Sequence, residues 1–163
     1  MSRSADSPPP GLARALETAS LPRALRDYLE GLASHDVARV ADTLAEELWF
    51  ISATRILGKS QFLEMLAALY AGFPDWEYQC EGIEDRTEGN YAIRWRQGGR
   101  HTGVWAMPGM DPIAATGRRV AIPLHYFYYR VSNDRIVLIF PEPLAGGAPR
   151  GILQQLGAKH PPL

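Results

Sequence analysis

Apolar residues recur along the first third of the chain at helical spacing. Leu21, Leu25, Tyr28, Leu29 and Leu32 fall on one face, with Ser20 as cap and Pro22 in the first turn, which predicts a helix over about 21–33. Asp36 is placed to cap a second, short helix carrying Val37, Val40, Ala41 and Leu44. Leu48, Trp49, Phe50 and Ile51 predict a first strand over 46–52. Behind Gly58 and Ser60, a stripe of Phe62, Leu66, Leu69, Tyr70 and Phe73 predicts a third helix, which Pro74 ends because its ring cannot continue one.

After Pro74 the period changes from 3.6 to 2. Trp76, Tyr78 and Cys80 alternate with Glu77, Gln79 and Glu81, the mark of a half-buried strand. Glu88-Gly89-Asn90 predicts a hairpin turn into a second strand with Tyr91, Ile93 and Trp95, which Gly98-Gly99 should break or bulge. A loop over about 104–117 is long enough to serve as a rim or lid. A long strand over 120–131 then turns at Ser132-Asn133-Asp134 into a last strand over 135–140. Alternation along the long strand places Val120, Ile122, Leu124, Tyr126 and Tyr128 on one face and His125, Phe127, Tyr129 and Val131 on the other. Helices first and an antiparallel meander afterwards describe an α+β domain. A sheet apolar on both sides needs a second cover, so a homodimer through its outer face is expected.

Composition narrows the functional classes. The 163 residues, 46% of them hydrophobic, suffice for one domain with a real core. Seventeen basic against eighteen acidic residues leave a formal net charge of −1, so neither nucleic acid nor an anionic membrane is expected as partner. Cys80 is the sole cysteine, which removes intrachain disulfides and multi-cysteine metal sites and fits a reducing cytoplasm. Residues 1–19, with Ser2, Ser4, Ser7 and Pro8-Pro9-Pro10, lack a signal peptide's apolar core and read as a flexible leader. The domain is expected over 20–157 and a tail over 158–163.

Four segments carry a resemblance: Phe73-Pro74-Asp75-Trp76 closing the third helix, Gly98-Gly99-Arg100-His101-Thr102-Gly103, Gly117-Arg118-Arg119-Val120, and Gly151-Ile152-Leu153-Gln154-Gln155-Leu156-Gly157. In this order, from about Leu21 to Gly157, the chain resembles the SnoaL-like polyketide cyclases, whose fold is that of nuclear transport factor 2. The resemblance implies a cone of three N-terminal helices packed on a curved antiparallel sheet around one deep apolar pocket. It also implies aldol ring closure without metal or cofactor, by a histidine and an aspartate on the last strands. On this chain the final-strand places fall at about Ile139 and Pro141, neither of which accepts a proton.

The remaining polar candidates are few. Glu142, between two prolines, is the nearest carboxylate and is either a replacement acid or a solvated loop residue. His125 stands two residues before Phe127, which matches another family histidine, and is either a base in an apolar pocket or a satisfied core residue. His101 matches a family histidine in the glycine-rich segment, as a ligand contact or as a turn-fixing residue. Trp49, Tyr70, Trp76, Tyr78, Trp95 and Phe127 are read as aromatic lining for a small apolar or aromatic molecule, against the plainer reading of core. Two functions follow: a cofactor-free cyclase or isomerase acting on an apolar carbonyl compound with His125 and Glu142, or a non-catalytic pocket protein.

Overall fold

The computed structural model describes residues 20–158. The expected leader over 1–19, and the tail beyond Ala158, lie outside the described residues. Helix α1 (Arg23–Ser34) buries Leu25, Tyr28, Leu29 and Leu32, the face its periodicity marks. Its start differs from expectation: Pro22 is the N-cap and supplies no side-chain acceptor. Asp134, 110 residues away, instead accepts the Ala24 N–H at 2.9 Å. A short helix α2 (Val37–Thr43) is capped by Asp36, whose carboxylate accepts the Arg39 N–H at 3.0 Å. Strand β1 (Leu44–Ile51) follows directly, then a two-residue β2 (Ile56–Leu57) and helix α3 (Lys59–Gly72).

Strands β3 (Glu77–Asp85), β4 (Asn90–Arg100), β5 (Arg119–Ser132) and β6 (Arg135–Pro141) complete one six-stranded sheet in the order β2-β1-β6-β5-β4-β3. It departs from a purely antiparallel sheet in one place, where β1 runs parallel to β6. That pairing is possible because the whole meander intervenes between the two strands. A fourth helix, α4 (Arg150–Leu156), buries Ile152, Leu153 and Leu156, so the glycine-flanked segment at the end of the domain is helical. No helix of the described residues is long and apolar enough to cross a membrane.

Two of the sheet's bulges set which residues of β5 and β6 face inward. Opposite β4, Trp95 pairs with His125 and Gln97 with Ile122, so Pro123 and Leu124 together oppose Arg96. Proline has no N–H to give the ladder, and a bulge is where a strand tolerates it. The extra residue reverses the alternation, and Val120 and Ile122 therefore share the inner face with His125, Phe127 and Tyr129. That corrects the face expected for the first two. Val120, Ile122, His125 and Tyr129 are all buried. In β6 the register slips between the Val131–Ile136 and Arg130–Leu138 pairs, which leaves Val137 as an extra residue and points both Ile136 and Ile139 into the core.

Gly98 and Gly99 do not break β4, which continues to Arg100. Their lack of side chains permits close packing instead: a Cβ on Gly98 would stand 2.6 Å from the Val120 carbonyl oxygen, and one on Gly99 2.9 Å from an Asp75 carboxylate oxygen. The loop after β4 is a wall rather than a lid, for Trp105 bridges to Ile113 and is buried with Met107.

Candidate functional site

Between α1, α3, α4 and the inner face of the sheet lies a cavity of about 450 Å³. That is a volume suited to a small organic ligand, for which roughly 300–1,000 Å³ is usual. Its depth is apolar and aromatic, with Tyr28, Phe62, Trp76, Trp95, Trp105 and Phe127 in the wall. Arg55, Glu142 and Arg150 are its charged lining residues among the described residues, beside one imidazole, that of His125.

His125 reaches the wall because the Pro123 bulge places it there. The Pro123 carbonyl lies 2.8 Å from His125 Nδ1. A carbonyl only accepts, so Nδ1 carries the proton in the neutral ring and Nε2 keeps its lone pair. Nε2 has no protein hydrogen-bond partner among the described residues. Burial lowers the proton affinity of the ring below the usual 6.5, and the Pro123 hydrogen bond and the nearby Glu142 charge offset this only in part. The imidazole at neutral pH is therefore an uncharged base facing an apolar hollow.

Glu142 follows the end of β6 and is doubly tied to β5. Its N–H donates to the Tyr126 carbonyl at 2.8 Å, and its carboxylate accepts the Tyr126 N–H at 2.9 Å. It is half-buried in the cavity wall, so it is neither a freely solvated loop residue nor deep in the pocket. The two places that the family resemblance gives to histidine and aspartate do turn inward, since Ile139 is buried and Pro141 lines the cavity, but both are apolar.

The structure separates the other expected lining residues. Trp76, Trp95 and Phe127 line the cavity. Trp49 does not: it is 57% exposed on the outer face, because Leu48 and Phe50 take the inward positions of β1. Tyr70 is buried but outside the lining, stacked on His35 with centroids 4.0 Å apart and joined to Tyr78 by a 2.8 Å hydroxyl contact. His101 is also outside it. The Thr116 N–H donates to its Nδ1 at 3.2 Å and its ring stacks on Phe73, so it stitches the 102–117 loop to the end of α3. Burial lowers its proton affinity as well.

Gln97 and Trp105 are lining residues that periodicity did not single out. Trp105 sits in a loop, where no repeat predicts burial, and Gln97 is a polar residue on an inward register that becomes evident only once β4 is paired with β5. Gln97 accepts the indole N–H of Trp76 at 3.2 Å, and the Trp76 carbonyl in turn accepts from His35 Nε2 at 2.6 Å. No group of three metal-ligating side chains occurs among the described residues.

The model of the SnoaL-like polyketide cyclases matches residues 22–138. The chain belongs to that family. No curated protein sequence matches it significantly. Among solved structures, AclR of Streptomyces galilaeus superposes with a TM-score of 0.66 at 13% identity, over 93% of this chain and 86% of that one. A SnoaL-like protein of Jannaschia sp. CCS1 gives 0.64 at 16% identity, over 98% and 99%. A SnoaL-like polyketide cyclase of Agrobacterium tumefaciens gives 0.59 at 18%, over 86% and 100%. At these identities the likeness establishes the shared fold, that of nuclear transport factor 2, and leaves the chemistry of this SnoaL-like chain to its own residues.

Proposed function

We propose that the cavity is the active site of a cofactor-free cyclase or isomerase acting on an apolar carbonyl compound. His125 Nε2 takes a proton from the carbon beside the carbonyl, and the C–H electron pair passes into an enolate. In a cyclisation the enolate carbon then attacks a second carbonyl of the same molecule, and the resulting alkoxide recovers the proton. In an isomerisation the proton returns to another carbon. The Glu142 carboxylate, whose charge acts on the ring, stabilises the imidazolium between the two steps, and the imidazolium is the acid that returns the proton. The observation that carries this reading is the Nδ1 contact with Pro123, which commits the free lone pair to Nε2 in a desolvated wall.

Deuterium exchange tests this without knowledge of the natural substrate. In D₂O the protein should accelerate loss of the α-proton NMR signals of 2-tetralone, an apolar bicyclic ketone. His125→Ala should slow the exchange by about 10²- to 10⁴-fold, the usual contribution of a general base. Exchange undiminished in His125→Ala would remove the assignment. Ile139 and Pro141 favour one other reading, a pocket that binds without reacting, and binding of the ketone with no exchange in the unaltered protein would select it.

We further infer that the chain pairs with a second copy through the outer face of the sheet and works in the cytoplasm. Support for pairing comes from the half-buried ribbon of Tyr126, Tyr128 and Phe140, stacked at 5.9 and 6.1 Å, with Trp49 exposed on the same sheet. The lone cysteine supports the compartment.

A further inference from the structure

Gln97 is a half-buried amide in the cavity wall, one strand away from His125. An indole N–H only donates, so the atom that meets Trp76 Nε1 at 3.2 Å is the amide oxygen. The orientation of the amide is thereby decided: its acceptor is occupied by Trp76 and its NH₂ group has no acceptor among the described residues. Trp76 is itself 3% exposed and anchored through its backbone by His35, so the lock is rigid. In the β4–β5 register Trp95 stands opposite His125, and Gln97 is the next inward residue along β4. The same wall thus offers a base at His125 Nε2 and a neutral donor at the Gln97 Nε2 amide hydrogens, on neighbouring strands.

We propose that Gln97 is a catalytic residue that donates a hydrogen bond to the substrate carbonyl oxygen, and that Trp76 is the positioning residue that keeps its NH₂ group toward the ligand. This rests on the acid/base reading above and narrows the ligand class to ketones or esters whose acidic carbon lies next to the bound oxygen. Negative charge moves onto that oxygen as the proton leaves carbon, and a fixed N–H in a dry wall stabilises it more in the transition state than in the ground state. No proton changes hands at the amide, so the balance of the reaction is that of His125 alone.

The test uses 2-tetralone labelled with ¹³C at the carbonyl, with binding followed by tryptophan fluorescence and the carbonyl stretch by difference infrared spectroscopy. Bound to the unaltered protein, the stretch should lie below its value in hexane. In Gln97→Leu it should return toward the hexane value, with ketone binding weakened about five- to tenfold, the effect of one hydrogen bond. Exchange of the α-proton should fall by about 10²- to 10³-fold, the usual effect of removing an oxyanion donor. Gln97→Glu keeps an acceptor for Trp76 and removes the amide donor, so a loss of exchange there separates donation from packing. Trp76→Phe should broaden the shifted band as the amide gains a second orientation.

An unchanged stretch in Gln97→Leu with the ketone still bound overturns the assignment and leaves the pocket intact. Failure of the ketone to bind at all overturns both this assignment and the reading on which it rests. A shifted stretch without exchange in the unaltered protein removes His125 as base and retains Gln97 as the carbonyl contact.

Discussion

His125 is buried, one of its ring nitrogens is committed to a backbone carbonyl, and its proton affinity is lowered by desolvation before any other cause. Two pH dependences follow at the scale of this residue. Catalysed exchange needs the neutral ring, so its rate should be level above pH 6.5 and fall in acid with a midpoint below the usual histidine value. Stability should move in the same direction. Between 6.5 and the lower folded values, the unfolded chain binds protons at His125 and His101 that the folded chain does not, so unfolding free energy rises with pH across that window and is lost as pH falls through it. Urea titrations from neutral pH downward check this, and a double variant lacking both histidines should show a flatter dependence. The residue types were legible in the sequence: His125 and Glu142 stood out because the final strands hold so few polar groups. The tautomer of His125 was not legible, because it depends on a carbonyl two residues away that only the bulge turns toward the ring.

At the scale of elements, the helices and strands follow their periodicities closely, and the exceptions occur where one element is completed by another. Alternation cannot reveal a bulge, since a single extra residue leaves both flanking patterns intact and only their phase changes. Pro123 was the available signal, a residue without an N–H in a central strand. The start of α1 is a second case. Asn133 and Asp134 both adopt positive φ in the β5–β6 hairpin, and this turn presents the Asp134 carboxylate to the Ala24 N–H. Asp134→Ala should cost about 2 kcal/mol, combining a lost cap of about 1 with a left-handed backbone that alanine adopts at about 1 more. Asp134→Asn keeps the acceptor and tolerates the backbone, and should be within about 0.5 kcal/mol of the unaltered protein. Chemical denaturation of the two variants measures the cost, and hydrogen exchange distinguishes this cap from a merely local turn effect, because a turn effect alone would leave α1 equally protected.

Viewed as a whole, the molecule has one face of the sheet closed over a cavity and the other covered by half-buried tyrosines, with Arg86 lying 5.4 Å from the Tyr128 ring centroid. Sedimentation velocity should find a dimer, and Tyr128→Glu should convert it to a folded monomer by placing a charge within the stacked ribbon. A monomer in the unaltered protein, or a dimer that persists in Tyr128→Glu, removes the sheet face as the interface. The sequence by itself determined the class of fold, the inventory of chemistry and its sparseness, because hydrophobic period and residue type are local properties that survive without knowing which segments meet. Tertiary structure alone decided which aromatics enclose the cavity, that Trp49, Tyr70 and His101 stand outside it, and that Gln97 stands within it. Facing is a relation between strands: it is set by register, by bulges and by the distant groups that complete each hydrogen bond, and none of these is written in a single segment.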